Sequence, residues 1–472
     1  MKYFFETYGC QMNKAESAAI EQIFMSRGWQ DAGCAEDADF IVINTCSVRA
    51  TAESRIAGRL GWFTTLRRER QKAGTGDFTL VVTGCMAERL KDDLKKQFKV
   101  VDYVVGTFQR QHFTELIEAA ENKTRIEYMD EEPVYSFAPL SYEKGTFQAY
   151  VPIMHGCNNF CTYCIVPYVR GREVSRAPAE ILKELDMLSE RGVREITLLG
   201  QNVNSYMWKT ADSTSTASND ECGAQSTVAT SGDAATNENG DSFIDFPDLM
   251  QLIADHLRET SSSIGWVRFM SSHPKDISER LIDVIAKERV MCRHIHLPVQ
   301  HGSTRILQAM NRRYTREDYL AKVRMIRSKL PDVSLTTDIM LGFPGETDED
   351  FEEAVSLLQE VKYEAAFMYY YNPREGTKAC TMPDQIPMEV KKNRLAKVID
   401  IQLAINRAEM SKRVGTTTKV LVECVSKDNE NELLGRTEQD EHVVFAADKS
   451  LIGSFVDVKL LELTGNTFKG TL

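Results

Sequence analysis

The chain has 472 residues, 42 % hydrophobic and 27 % charged side chains and a formal net charge of −12, a composition that suits a soluble protein of two or three domains rather than a single core. The acidic balance argues against indiscriminate nucleic-acid binding, although a local basic face is compatible with it. Eleven cysteines are too few for a disulfide scaffold in a chain this long, the opening Met-Lys-Tyr-Phe-Phe-Glu6 meets charge before a signal-peptide core could form, and no apolar run reaches membrane-spanning length; the expectation is a cytoplasmic protein with reduced thiols.

In residues 1–120, three strand-like runs (Tyr3 to Thr7, Phe40 to Asn44, Phe78 to Thr83) are each followed closely by a cysteine: Cys10, Cys46 and Cys85. Helix-like stretches such as Lys14 to Arg27 and Ala50 to Arg70 fill the intervals, which predicts βα units and a parallel sheet. Ligands of such sheets gather outside the carboxyl ends of the strands, so three cysteines far apart in sequence can meet in one crevice. A single cysteine there would read as a buried thiol, but three at the same place in successive βα units point to a three-thiolate site. Cys34, Cys222, Cys292, Cys380 and Cys424 lack this context. The helix carrying Arg55, Arg59, Arg67, Arg68, Arg70 and Lys72 reads either as a basic patch or as a solvated face.

The next segment holds His155-Gly-Cys-Asn-Asn-Phe-Cys-Thr-Tyr-Cys164. The spacing brings together Cys157, Cys161 and Cys164 without a nearby fourth ligand. Structural zinc would want that ligand, whereas a 4Fe-4S cluster on three cysteines keeps one iron open. Arg170, Arg172 and Arg176 follow, as a salt-bridged surface or as contacts to phosphate or carboxylate. Six strand-like segments, near Tyr150 to Met154, Glu195 to Leu199, Trp266 to Met270, His294 to Pro298, Ser334 to Met340 and Ala366 to Tyr371, predict a partial (β/α)6 barrel over 143–378. Their carboxyl ends carry the unusual residues, including Gly200-Gln-Asn202, Ser271-Ser272, Gln300 and Gly342, on the face where such barrels place active sites. Gly200 and Gly342 would allow close backbone approach to a ligand, or merely make turns.

Lys209 to Ser242 contains one valine and no other large apolar side chain, and is expected to be a disordered insertion. Leu395, Val398, Ile399 and Leu403 recur at helical spacing within a connecting helix, 379–410. Five short strands then predict a small β-barrel over 411–472, a separate unit. The fold class is thus α/β: an N-terminal parallel βα domain, a central partial barrel and a C-terminal antiparallel β-barrel.

The Cys157-x3-Cys161-x2-Cys164 run, with Tyr163 before its last cysteine, resembles the radical S-adenosylmethionine (SAM) enzymes. Thr7-Tyr-Gly-Cys10-Gln-Met-Asn13, Ile43-Asn-Thr-Cys46-Ser-Val-Arg49 and Val82-Thr-Gly-Cys85-Met-Ala87 are similar to the N-terminal motifs of the methylthiotransferases within that superfamily. The C-terminal barrel is similar to the TRAM domain, an RNA-binding module. Gly-Cys-Gln-Met-Asn resembles the branch acting on N6-dimethylallyladenosine beside the tRNA anticodon, not the Gly-Cys-Pro-Lys-Asn of the ribosomal-protein branch or the Gly-Cys-Lys-Val-Asn of the threonylcarbamoyladenosine branch. The resemblance implies two 4Fe-4S clusters, one on each cysteine set, and two SAM molecules: one gives its methyl group to a sulfur, and the other yields a 5′-deoxyadenosyl radical that removes hydrogen from C2 of the adenine. Radical and cluster sulfur would carry the chemistry, with no catalytic side chain required. It further implies SAM contacts from Tyr163, Gly200, Gln201, Asn202, Ser271, Ser272 and Gly342, and substrate contacts from Arg170, Arg172, Arg176 and Gln300. The implied partners are the tRNA anticodon loop, a flavodoxin or ferredoxin as one-electron donor, and an iron-sulfur carrier that replenishes sulfur, acting on a monomer. The alternatives are the same transfer to threonylcarbamoyladenosine or to a ribosomal protein, and, more distantly, a non-catalytic metal-binding RNA-binding protein.

Overall fold

The computed structural model describes residues 1–47, 50–131, 135–210, 235–236 and 242–472. They form two compact units: Met1–Asn158 with Cys164–Leu188 and Leu199–Gln201, and Asn159–Tyr163 with Ser189–Leu198 and Asn202–Leu472.

In the first unit, β1 (Lys2–Thr7), α1 (Gln11–Ser26), β2 (Gln30–Asp31), β3 (Phe40–Thr45), α2 (Ala50–Ala73), β4 (Thr79–Gly84), α3 (Cys85–Leu90), β5 (Tyr103–Val105) and α4 (Phe113–Glu121) follow one another. The strands form a five-stranded sheet in the order β2-β1-β3-β4-β5, parallel at every pairing. All of β3 is buried because both faces are covered. Ile41 and Ile43 meet Ile56, Leu60 and Phe63 of α2, while Phe40 and Val42 meet Phe24 of α1 and Phe113 of α4. This alternation is what helices on both sides of a parallel sheet require. The basic face expected on α2 is in large part fastened down. Arg59 bonds to Glu6 and lies over Trp62, Arg67 reaches Asp102 and the Val100 carbonyl, and Arg70 donates to the Ala38 carbonyl. Also in this unit are β6 (Gln148–Pro152) and α5 (Val166–Val169).

The second unit holds five further strands, β7 (Glu195–Leu199, whose last residue falls in the first unit), β10 (Trp266–Phe269), β11 (His294–His296), β12 (Ser334–Leu341) and β13 (Ala365–Tyr370), all near the predicted positions. β10 pairs in parallel with β7, and β12 with both β11 and β13. Of the predicted insertion, residues 211–234 and 237–241, Cys222 included, lie outside the described residues. Its edges are corrected: Lys209 ends β8 (Met207–Lys209) and Ser242 begins β9 (Ser242–Asp245), an antiparallel pair. The connecting helix α6 (Met388–Ser411) packs differently from the apolar stripe read in the sequence. Leu403 is exposed, and Lys391, Arg394, Gln402 and Asn406 are buried alongside Val398 and Met410. Three of these heads find partners locally, Lys391 on the Tyr371 carbonyl, Arg394 on Glu346 and Gln402 on the Tyr363 carbonyl, while the side-chain oxygens of Gln402 and Asn406 are buried without one; a polar stripe does the packing.

The C-terminal strands β14 (Thr417–Val425), β15 (Glu432–Thr437), β16 (His442–Ala446), β17 (Phe455–Thr464) and β18 (Thr467–Thr471) close into a barrel in the order β14-β15-β16-β18-β17. Val420, Val422, Leu433, Val443, Phe445, Val458, Leu460 and Phe468 fill it. The barrel is not separate from the rest of its unit. Arg268 of β10 donates to the Thr437 and Glu438 carbonyls at 2.7 and 2.8 Å, Glu195 of β7 accepts from both Arg268 and Arg436, and Trp266 meets Phe455 edge-on at 4.8 Å.

Two buried histidines in this unit are held neutral. Burial, with Arg268 adding to it and Asp440 opposing, lowers His294 to about 4; burial and nearby Arg312 lower His273 to about 2. Protons therefore bind the unfolded chain more readily than the folded one below about pH 6.5, so stability falls with pH through that region. By pH 5 each histidine should cost about 2 kcal/mol relative to neutral pH. Urea midpoints at pH 7 and pH 5 measure this, and His294→Gln should reduce the difference.

Candidate metal centres

Cys10, Cys46 and Cys85 stand just beyond the carboxyl ends of β1, β3 and β4, where the chain turns into helices. Gly9, at φ +137°, lets this loop approach the next: a Cβ there would lie 2.7 Å from the Cys46 Cβ. Gly84, at φ +92°, has the same role before Cys85, where a Cβ would stand 2.4 Å from the Thr45 carbonyl oxygen. Asn13 pins the arrangement. Its amide donates to the Thr45 carbonyl and the Asn44 side chain and its side-chain oxygen accepts from the Cys10 thiol at 3.3 Å. Cys46 and Cys85 are buried and Cys10 is exposed, which gives an open edge to the site. Burial, offset by Arg170 and reinforced by Glu16, Cys46 and Cys10, pushes the Cys85 thiol up to about 11. Such a sulfur is a thiolate only with a cation beside it, and three soft donors around a partly open crevice fit an iron-sulfur group.

In the first unit, the second cysteine loop is pinned to the chain that returns from it. Cys157 donates its backbone N–H to the Gly171 carbonyl, and Gly156 at φ +78° admits the Arg172 carbonyl where a Cβ would stand 2.0 Å away. Asn158 donates to Glu173 at 3.0 Å. In the second unit, Thr162 is bonded through backbone and hydroxyl to the Met310 and Ala309 carbonyls, and buried Arg312 reaches the Cys161 sulfur at 3.5 Å while donating to the Pro298 carbonyl at 2.7 Å. None of the six cysteines is in a disulfide. Among the described residues no three His, Cys, Asp or Glu side chains are drawn into a coordination shell.

Polar atoms without partners mark the ligand side of the second unit. The Ser272 hydroxyl, His273 Nε2 and both ends of the Asn204 amide are buried and unpaired, an arrangement that a polar ligand would satisfy. Ser271, at φ +71°, turns the chain beside them. These atoms fit a nucleoside and amino-acid ligand such as SAM. Tyr163 packs against Ile306, Met310, Met340 and Phe343. Gly200 is buried and Gln201 half-buried.

Several sequence expectations need correction. Asn202 has its amide engaged at both ends, donating to Asp276 at 2.7 Å and accepting from the His273 N–H at 3.0 Å, so it fastens the neighbouring loop instead of facing a ligand. The space above Gly342 is filled by the stem of Lys391, which a Cβ would meet at 2.3 Å. Arg170 and Arg176 are 1 % and 2 % exposed; they are ion-paired to Glu16 and Glu184 and cannot reach an RNA phosphate. Gln300 is buried, its amide shared between Tyr369 at 2.7 Å and Asp338 at 3.4 Å, a strut between β12 and β13. Arg172 is exposed. Sequence reasoning missed Glu16, Asn204 and Arg312, none of which carries a spacing signal of its own. Asn13 lay within a quoted motif, but its role needed the structure.

Comparison with known proteins agrees with this layout. The model of the radical SAM superfamily matches residues 151–358, that of the uncharacterized protein family UPF0004 residues 2–106, and that of the TRAM domain residues 411–472. A tRNA-2-methylthio-N(6)-dimethylallyladenosine synthase of Treponema denticola is 49 % identical over all of both chains. Proteins of the same name from Treponema pallidum and Desulfitobacterium hafniense are 46 % and 41 % identical, covering 100 % and 98 % of this chain and 99 % and 95 % of theirs. Among solved structures, the radical SAM methyltransferase TsrM of Kitasatospora setae matches with a TM-score of 0.57 at 14 % identity, over 80 % of this chain and 77 % of that one, a likeness of fold alone. With three family models in sequence and relatives of this identity spanning its whole length, the chain belongs to the family of tRNA-2-methylthio-N(6)-dimethylallyladenosine synthases.

Proposed function

We propose that the chain methylthiolates C2 of N6-(dimethylallyl)adenosine beside the anticodon of tRNA. The observation that carries this reading is the coexistence of two cysteine sets, because a simple radical SAM enzyme needs only the Cys157, Cys161 and Cys164 loop. When bound, two 4Fe-4S clusters and SAM would supply the radical chemistry and the methylated sulfur that an unactivated carbon demands.

The chain's own residues bind and orient. Cys10, Cys46 and Cys85 hold one cluster, with Gly9, Gly84 and Asn13 setting their spacing. Cys157, Cys161 and Cys164 would hold the other and leave a position for SAM. Phe367 and Tyr369, 58 % and 36 % exposed, alternate onto one face of β13 and offer stacking surface to a base splayed from an unpaired loop. Arg172, the exposed one of the three arginines after the cysteine loop, would contact a phosphate. No helix of the described residues is long and apolar enough to cross a membrane, which supports a cytoplasmic site of action. A flavodoxin or ferredoxin would deliver electrons, and an iron-sulfur carrier would restore the consumed sulfur, to a monomer.

The test is nucleoside mass spectrometry of bulk tRNA from a strain lacking the gene. Loss of the methylthio group from dimethylallyladenosine alone is the expected result. Loss from threonylcarbamoyladenosine, or an intact tRNA profile with an altered ribosomal protein, would replace this substrate.

A further inference from the structure

Arg170 lies just beyond the second cysteine loop, yet its guanidinium is spent on the first cysteine set. Its Nε donates to the Cys85 sulfur at 3.2 Å. The two terminal nitrogens take the Glu16 carboxylate at 2.8 and 3.2 Å, and Nη1 stands 3.4 Å from His155 Nδ1. Glu16 belongs to α1, the helix that begins immediately after Cys10. One buried cation therefore joins the segments of two cysteine ligands, and its counter-charge, 3 % exposed, stands in the same pocket. Arg110 approaches that carboxylate at 3.8 Å, and Tyr135, stacked on His155 at 3.5 Å, closes the pocket over it.

A buried ion pair is a poor device for stability, because desolvation consumes most of the attraction. A fixed charge bonded to a ligating sulfur has a more direct effect: reduction of an iron-sulfur group adds negative charge, and both hydrogen bonds to its sulfurs and nearby charges shift its potential. We propose that Arg170 and Glu16 form an opposed charge pair that sets the reduction potential of the group held by Cys10, Cys46 and Cys85, the arginine raising it and the glutamate lowering it. Both are positioning residues. The inference rests on the two-cluster reading above.

The test uses the full-length chain with Cys157, Cys161 and Cys164 changed to alanine, so that any iron reports on the N-terminal site alone. Anaerobic reconstitution with iron and sulfide should give about four irons per chain, and a potentiometric titration followed by electron paramagnetic resonance gives the potential. Arg170→Gln should lower it and Glu16→Gln should raise it, each by about tenfold in the one-electron equilibrium, or ~60 mV. Arg170→Lys, which keeps the charge, should stay near the parent. Opposite shifts from two substitutions that break the same ion pair cannot come from loosened packing, which would move both the same way. Unshifted potentials, or shifts of one sign, overturn the proposal. Should Arg170→Gln take up no iron, Glu16→Gln alone decides, and an unchanged or lowered potential is the contrary result. A parent without iron removes the two-cluster reading and the proposal with it.

Discussion

Changing Cys10, Cys46 and Cys85 together to alanine is expected to abolish methylthiolated tRNA while leaving SAM cleavage intact. The three alanines add no bulk beneath the sheet, and the main fastening of the loops, Asn13 to the Thr45 carbonyl and Asn44, does not involve the sulfurs, so the fold should persist. The loop bearing Cys157, Cys161 and Cys164 keeps its own anchors, Cys157 on the Gly171 carbonyl and Thr162 on the Met310 carbonyl. The variant should therefore retain about four irons, half of the intact complement, and continue to form 5′-deoxyadenosine. Alanine at 157, 161 and 164 should instead eliminate 5′-deoxyadenosine. Both nucleosides are quantified in one chromatographic run under reducing, oxygen-free conditions. Methylthiolated tRNA from the first variant would contradict the division of labour between the sites.

The second large effect concerns Glu195. Its two oxygens are taken by Arg268 at 2.8 Å and Arg436 at 2.9 Å, and it is 3 % exposed. Glu195→Gln removes a negative charge shared by two guanidiniums, that of Arg268 buried and that of Arg436 partly so. Breaking a buried pair in this way costs about 3–5 kcal/mol, which should appear as a lowered urea midpoint. Arg436 keeps Glu423 and Asp440 as partners, but Arg268 would retain backbone carbonyls and the more distant Asp440, at 3.9 Å. Ending the chain before Ser411 should be worse still, since it uncovers Trp266 and deprives Arg268 of the Thr437 and Glu438 carbonyls; an aggregation-prone product is expected in size-exclusion chromatography. A truncated protein with wild-type midpoint and solubility would contradict this account. An RNA-binding role for the barrel, which we propose from its likeness to the TRAM domain, is accordingly better probed by surface substitutions than by its removal.

The elements themselves were legible because their signals are local. Strand-like runs and cysteine placement identified β1, β3 and β4, and the six later strands announced themselves by short apolar runs followed by helix-like or loop stretches. The six cysteines were legible for the same reason, as repeated chemistry at repeated positions. What the sequence could not convey was which polar groups are already satisfied. Arg170, Arg172 and Arg176 look alike as a basic cluster, but Glu16 lies 154 residues from the first of them and Glu184 sits on a helix whose buried face is defined only in the fold. Asn202 and Gln300 mislead similarly, since an amide at the end of a barrel strand reads as available until its partners are placed. The connecting helix α6 failed for the opposite reason. Apolar periodicity predicted its buried face, whereas Lys391, Arg394 and Gln402 are buried there because carbonyls and Glu346 accept from them.

The encounter of Gly342 with Lys391 has an implication for how this sequence can drift. The glycine is held at φ +68°, and its amide is bonded to Glu346 at 2.7 Å; the lysine stem lies over the vacancy where a side chain would begin and ends on the Tyr371 carbonyl. Position 342 is then not free to mutate alone. A methyl group at 342 must be matched by a shorter side chain at 391, and a bulkier residue at 391 finds no room unless 342 remains bare. In descendants of this gene a side chain at 342 should appear only where the codon 49 positions on has already given up its long stem, whereas 391 can shorten first.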